Sequence, residues 1–330
     1  MGLQAPALLL VTGCLLAVTI ILSRLAADAG APMLWFLTLV MSGAGLALMG
    51  VALLSGQAKG NWRRLLLYGL GAGAFQALPS AMAYLSVAHV GAGYVSLAFA
   101  FPLLVTYVLA LAVGMERFAP LRALGVTVAL AGGLLLAISK LSGLSADEEA
   151  VVWVLVASAI PLVLACGNLF RTRFWPEGAP PLLLAALMLL LAAILTVPFA
   201  AASEGIAGAA RLWDQGFLLA LTGLNTAAFA LQFVAYFRLQ QTAGPVYLSQ
   251  IGSVAAAVGT PVAVLFLGET LPEGFAVALL LIVGGAVLFQ VAARRSSPAG
   301  RSVQPSEVSS SSSHDSRAAA SGRTRPRSRR

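Results

Sequence analysis

Ten stretches of this 330-residue chain are apolar over lengths that match a lipid bilayer. They run at about 5–25, 33–55, 64–87, 92–114, 120–139, 151–171, 181–201, 216–237, 244–267 and 274–293. A helix crossing a membrane needs roughly 20 mostly apolar residues. In hydrocarbon every backbone N–H and C=O must also find its partner within the protein, which leaves helices or closed barrels. These runs are continuous and lack the in–out alternation of a barrel strand. The expected fold class is therefore an all-α integral membrane protein with ten transmembrane helices. Composition agrees: 59% of residues are hydrophobic and 10% charged, against about 25% charged in soluble domains.

Basic residues set the expected orientation. With the N-terminus in the cytoplasm, the inner loops hold Lys59, Arg63, Arg64, Arg117, Arg122, Arg171, Arg173 and Arg238, with Arg294 and Arg295 after the last span; the outer side holds Arg24, Lys140 and Arg211. Ten against three follows the positive-inside rule and places both termini in the cytoplasm. No Lys or Arg precedes the first apolar stretch and nine spans follow it, so it reads as a span rather than a cleaved leader. Residues 296–330 change character: a run of five serines (Ser309–Ser313) and an ending GRTRPRSRR supply 7 of the 20 basic residues. Too few apolar residues remain there to build a core. The segment reads as a disordered cytoplasmic tail near anionic lipid, and without aromatics between its arginines it is not read as a nucleic-acid arm. Cys14 and Cys166 lie within apolar segments and form no metal or disulfide pattern. Arg outnumbers Lys 18 to 2, a composition that suits a GC-rich bacterial genome and hence a bacterial inner membrane.

The ten spans divide into two fives. A shift of 153 places Gly91 on Gly244, Tyr94 on Tyr247, Ser96 on Ser249, Glu116 on Glu269 and Gly132 on Gly285; a shift of 152 places Tyr84 on Tyr236 and Ser80 on Gln232. The predicted organisation is a first five-helix unit over 1–143, a second over 144–295 and the tail over 296–330. Five is odd, so the second unit enters the membrane from the opposite side. The result is an inverted repeat, which many secondary transporters use to build a site near the bilayer midplane.

Glycine followed closely by glutamate closes spans four and nine (Gly114–Glu116, Gly268–Glu269), and the small-residue runs LAGGLLLA and IVGGAVLF occupy spans five and ten. With the two five-helix units and ACGNLFRTRFW in span six, these features resemble the EamA-type branch of the drug/metabolite transporter superfamily over about residues 5–293. The resemblance implies ten helices around a central cavity, lined by spans three, four, eight and nine and the openings of one and six. It places Asn168 at the cavity. Its counterpart in span one, within GCLLAVTIILSRL, is apolar, so no contact from span one is carried over.

The chemistry of the segments narrows the function. Span interiors hold essentially no Asp, Glu, Lys or His, and no P-loop, G-x-S-x-G or H-E-x-x-H pattern occurs. An intramembrane hydrolase would need a nucleophile with its base, or a metal. Arg24, Arg171, Arg173 and Arg238 fall near span ends, where their stems can snorkel to water. What remains is neutral polarity on single helical faces: Gln76, Ser80 and Tyr84 at i, i+4, i+8, and Asn225, Gln232 and Tyr236 at i, i+7, i+11. Thr12, Thr19 and Ser23 share a face of span one, and Ser249, Gln250, Ser253 and Thr260 lie in span nine. Such groups either bond neighbouring helices or line a polar cavity. The candidate substrate-binding set is Gln76, Ser80, Tyr84, Asn168, Asn225, Gln232, Tyr236 and Gln250. Glu116 and Glu269 read as structural turn residues: each sits in a short hairpin before a new helix, where a carboxylate meets free N–H groups. Thr270 and Glu273 form a capping box there. Gly69, Gly71, Gly73, Gly132 and Gly133 read as packing faces, and Pro79, Pro102 and Pro261 as kinks.

The expected function is a secondary transporter, acting as a monomer without catalysis, metal or cofactor. It moves a small polar or zwitterionic metabolite across the bacterial inner membrane. Export and an amino-acid substrate are implied by the family resemblance. The alternative is a non-transporting scaffold or sensor acting through its basic tail. The topology has a direct check. A fluorescent protein fused after Arg295 should fluoresce, and alkaline phosphatase fused there should stay inactive; the reverse pattern refutes the cytoplasmic placement of both termini.

Overall fold

In the computed structural model, residues 4–57, 60–112, 114, 118–142, 148–248, 250–269 and 274–296 are described, and among them no strand occurs. Twelve helices follow in order: α1 Gln4–Asp28, α2 Met33–Leu54, α3 Trp62–Val90, α4 Ala92–Ala98, α5 Pro102–Ala112, α6 Pro120–Ser142, α7 Glu148–Arg173, α8 Pro181–Glu204, α9 Ile206–Asp214, α10 Gly216–Leu248, α11 Ile251–Leu267 and α12 Phe275–Ser296. Eight helical stretches, counting α4 and α5 as one, are long and apolar enough to cross a membrane; α11 and α12 are apolar but shorter over their described residues. The chain is a helical protein whose surface suits lipid. Leu54, Leu265, Phe266 and Leu280 stand out from it, and an apolar surface on this scale marks contact with a membrane or partner rather than water.

Each of the ten segments read from the sequence is helical, with three departures. Span four is broken at Phe99–Phe101, and α5 restarts at Pro102. Proline has no N–H to continue the ladder, so a break just before it is where a helix yields most easily. Span eight does not end near 237: α10 continues to Leu248. A short helix, α9, fills the loop before it, with Leu212 buried and Ile206 and Trp213 exposed. Pro79 and Pro261 sit inside α3 and α11 without interrupting them. Glu116, Ser249, Thr270, Glu273 and the tail from 297 on lie outside the described residues.

Packing follows the small residues. α6 packs on α12, α2 on α8, α1 on α10 and α11, α3 on α7 and α8, and α4 on α11. Between α6 and α12 backbones nearly touch: a Cβ on Gly285 would lie 2.5 Å from Ala129 N and from Gly125 O, and one on Gly132 would lie 2.7 Å from Ala278 O. Gly73 meets the backbone of α8 in the same way, with Ala192 N at 2.9 Å from its would-be Cβ. Without a hydrophobic drive between helices in lipid, such close approach supplies the dispersion contacts that hold them together. Thr38 and Thr196 add a buried hydroxyl pair at 2.8 Å between α2 and α8.

Adjacent glycines give a matched test. Gly285→Ala should destabilise the detergent-solubilised protein by about 1–3 kcal/mol, since backbone on α6 cannot step aside. Gly284→Ala faces nothing within 4 Å and should leave the melting temperature unchanged or slightly raised. Equal behaviour of the two variants would refute this packing.

Candidate functional site

A cavity with an open mouth lies among α1, α3, α5, α7, α10 and α11 and the break between α4 and α5. Its polar wall comes largely from one face each of α3, α7 and α10. On α3, Gln76 donates to Ser80 Oγ at 2.9 Å, and both line the cavity with Tyr84. On α10, Gln232 and Tyr236 line it, with Phe229 and Phe233 between and beside them. On α7, Leu164, Asn168 and Arg171 recur at i, i+4 and i+7 and share the cavity face.

Six of the eight candidate residues therefore meet at one cavity: Gln76, Ser80, Tyr84, Asn168, Gln232 and Tyr236. Asn225 stands one layer back. It is fully buried and donates from Nδ2 to Tyr84 Oη at 3.0 Å, so it orients the tyrosine rather than forming the wall. Gln250 lies at the start of α11 and is not among the lining residues. In α1, Thr12, Thr19 and Ser23 each donate to a carbonyl of their own helix; Thr19 alone of the three reaches the wall. Among the described residues, Gln232 Oε1 and Asn225 Oδ1 have no hydrogen-bond partner.

The sequence reading missed two wall features. The first is Arg171, expected to snorkel from a helix end. It is 3% exposed, lines the cavity, donates from Nη2 to Asn168 Oδ1 at 2.8 Å, and lies with Cζ 5.7 Å from the Tyr236 ring centroid. Its spacing of three from Asn168 was the available signal. The second is the break between α4 and α5, which brings Phe99 and Pro102 to the cavity beside Gly252. A Cβ on Gly252 would lie 1.5 Å from Phe99 O, so only glycine fits where α11 passes the break. Irregular backbone at membrane depth is tolerated where protein or a cavity surrounds it.

At the opposite end from Arg171, where α1, α3, α8 and α11 finish and α2 and α4 begin, three charged side chains tie helix ends together. Arg24 Nη1 donates to Val87 O at 2.9 Å at the end of α3, and its Nε donates to Asp28 Oδ2 at 3.0 Å. Glu204, closing α8, accepts from Leu34 N at 2.9 Å and Trp35 N at 3.0 Å at the start of α2. Glu269 accepts from Ala92 N at 2.6 Å and Gly93 N at 2.9 Å at the start of α4. Gly268, in the left-handed region (φ 65°), ends α11, and the Glu269 N–H turns back to Ala263 O at 3.2 Å. This Schellman-type ending aims the carboxylate sideways. Glu269 was expected to stitch its own hairpin, whose residues 270–273 lie outside the described residues; it caps a helix 177 residues away in sequence. Glu116, assigned the equivalent role, lies outside the described residues. Lys140 lines the same small recess as Glu269. His89, exposed, stacks on Trp153 with ring centroids 4.9 Å apart. Among the described residues no three His, Cys, Asp or Glu gather as a metal site would require.

No protein-family model matches the chain, and no curated protein does either. A solved structure titled "Crystal structure of protein" superposes on it with a TM-score of 0.55 at 23% identity, covering 86% of this chain and 98% of that one. At that identity the likeness is one of fold.

The carboxylate ties are open to test. Glu269→Gln keeps a single acceptor for two N–H donors and should cost about 0.5–2 kcal/mol, the range for losing a helix cap. Hydrogen exchange at Ala92 and Gly93 should rise in that variant while exchange at Leu34 and Trp35 stays as it was. Glu204→Gln should give the reverse pattern. Unchanged exchange at Ala92 and Gly93 would rule the tie out.

Proposed function

We propose that this chain is a secondary transporter of the EamA-type drug/metabolite transporter class, built from two inverted five-helix units. In this reading it moves a small polar or zwitterionic metabolite, an amino acid foremost, outward across a bacterial inner membrane. The cavity carries the proposal: a polar chamber inside an apolar helical protein, walled by helices from before and after residue 143 and flanked by a broken helix. An amide in hydrocarbon with no partner is costly, so Gln76 and Gln232 must face either another helix or water and solute. They line a common cavity.

The pairing of helices supports two units. α1 packs on α10 and α11 as α7 packs on α3 and on α4 and α5, while α2 pairs with α8 and α6 with α12. This reciprocal pairing supports a reading as two related units, and with five spans in each the second would be inverted, as in inverted-repeat transporters. The ties made by Arg24, Glu204 and Glu269 join helix ends on the side that the basic-residue count assigns to the outside, and in this reading they close that side. The arrangement then corresponds to one state of an alternating-access cycle. Opening that end requires Glu204 and Glu269 to leave their N–H groups.

Cysteines introduced one at a time at 76, 84, 232 and 236 should react with a water-soluble thiol reagent in at least one condition. Gln232→Ala and Tyr236→Ala should cut counterflow of the transported solute in proteoliposomes with little change in melting temperature. Thr127→Ala, on the exposed face of α6, should not. Resistance of all four cysteines to the reagent under every condition sinks the transport reading.

A further inference from the structure

Among the described lining residues, Arg171 is the one cation and there is no carboxylate to neutralise it. Its guanidinium carries five N–H donors in a rigid fork. The protein engages part of that fork: Nη2 donates to Asn168 at 2.8 Å, Nη1 reaches the soft sulfur of Met188 at 4.0 Å, and Nε, buried, has no partner. The Tyr236 ring lies beside Cζ, and Tyr68 Oη is likewise buried without a partner. A snorkelling arginine would extend its head to water, whereas this side chain is 3% exposed. An ion taken out of water and left unpaired is expensive, so such groups are matched by an opposite charge. Here the matching charge has to come from something that enters the cavity.

We propose that Arg171 is a substrate-binding residue: it forms the anion-binding end of the cavity, and the transported molecule presents a single carboxylate to it. This rests on the transport reading above and narrows its substrate class. A carboxylate fits the guanidinium fork with two parallel bonds and neutralises a single positive charge. A phosphate monoester carries nearly two negative charges, and the wall offers one cation. The unpartnered acceptor Gln232 Oε1 lies in the same wall and suits a donor elsewhere on the molecule, such as an ammonium group. A zwitterion therefore finds complementary groups, while the protein itself contributes a net positive cavity.

The test uses the full chain in lipid nanodiscs, with thermal unfolding as the binding readout. The probes are L-leucine, L-threonine and L-phenylalanine, each beside its carboxamide, and phenyl phosphate. At least one acid should bind at least about tenfold more tightly than its amide, as expected for one charge-assisted pair. Arg171→Gln should erase that preference, and Arg171→Lys should retain part of it. Without ligand, Arg171→Gln should melt no lower than the native protein, because it removes an unpaired buried charge. The proposal is overturned if no acid binds, if acid and amide bind alike, if the preference survives Arg171→Gln, or if phenyl phosphate binds more tightly than the acids. It also fails if Arg171→Gln unfolds early, which would make the arginine a structural residue. Counterflow in proteoliposomes separates the two readings. Discrimination between acid and amide without flux sinks the transporter and leaves the site. Equal flux of acid and amide sinks the site and leaves the transporter.

Discussion

Free N–H groups at helix starts are the constraint around which one end of this protein is built. The first turn of any helix leaves backbone donors without intrahelical partners, and near a membrane there is little water to satisfy them. Here two starts, at Leu34–Trp35 and at Ala92–Gly93, are satisfied by carboxylates from distant helices, Glu204 and Glu269. Each carboxylate accepts two charge-assisted bonds, the stronger kind. The cost of leaving those donors unmet fixes where α8 and α11 must end relative to α2 and α4. The glycines follow from this. Gly91 holds φ 89°, and a Cβ there would sit 2.7 Å from the Glu269 carboxylate.

The same accounting governs the interior. Buried hydroxyls in α1, α2 and α8 return to carbonyls of their own helices and ask nothing of a ligand. The amides and the guanidinium around the cavity do not close on themselves: Gln232 Oε1, Asn225 Oδ1 and Arg171 Nε lack partners. Other buried polar atoms without a bond among the described residues, such as Ser96 Oγ and Thr106 Oγ1, lie away from this chamber; those of Gln232 and Arg171 stand in its wall, where a solute can reach them. The α4–α5 break also interrupts a helix beside the cavity.

Much of the fold was legible because hydrocarbon is an undemanding solvent to predict for: length and hydropathy alone identified the ten helical segments. The faces of α3 and α10 were legible too, since a spacing of four or seven leaves residues on one side whatever the tertiary context. The break at Phe99–Phe101 was foreshadowed by Pro102. Gln250 and Asn225 do not reach the cavity wall because helical phase fixes a direction but not a distance: Asn225 shares the face of Gln232 yet stands behind Tyr84. Arg171 was misread because its position at a helix end is compatible with either snorkelling or burial, and only the neighbouring α3, α8 and α10 decide which.

The sequence by itself determined an all-helical, membrane-suited chain with its polar side chains grouped on a few helical faces. These are local properties, set by hydropathy and by 3.6 residues per turn. The tertiary structure alone decided that Glu269 caps α4, that six of eight candidate side chains share a cavity, and that a buried arginine stands among them. Each of these depends on which helices lie side by side. In lipid that choice is made by backbone-to-backbone fit at glycines such as Gly125, Gly132 and Gly285 and by satisfaction of free N–H groups across long sequence separations. Neither leaves a period or a motif for a linear reading to find.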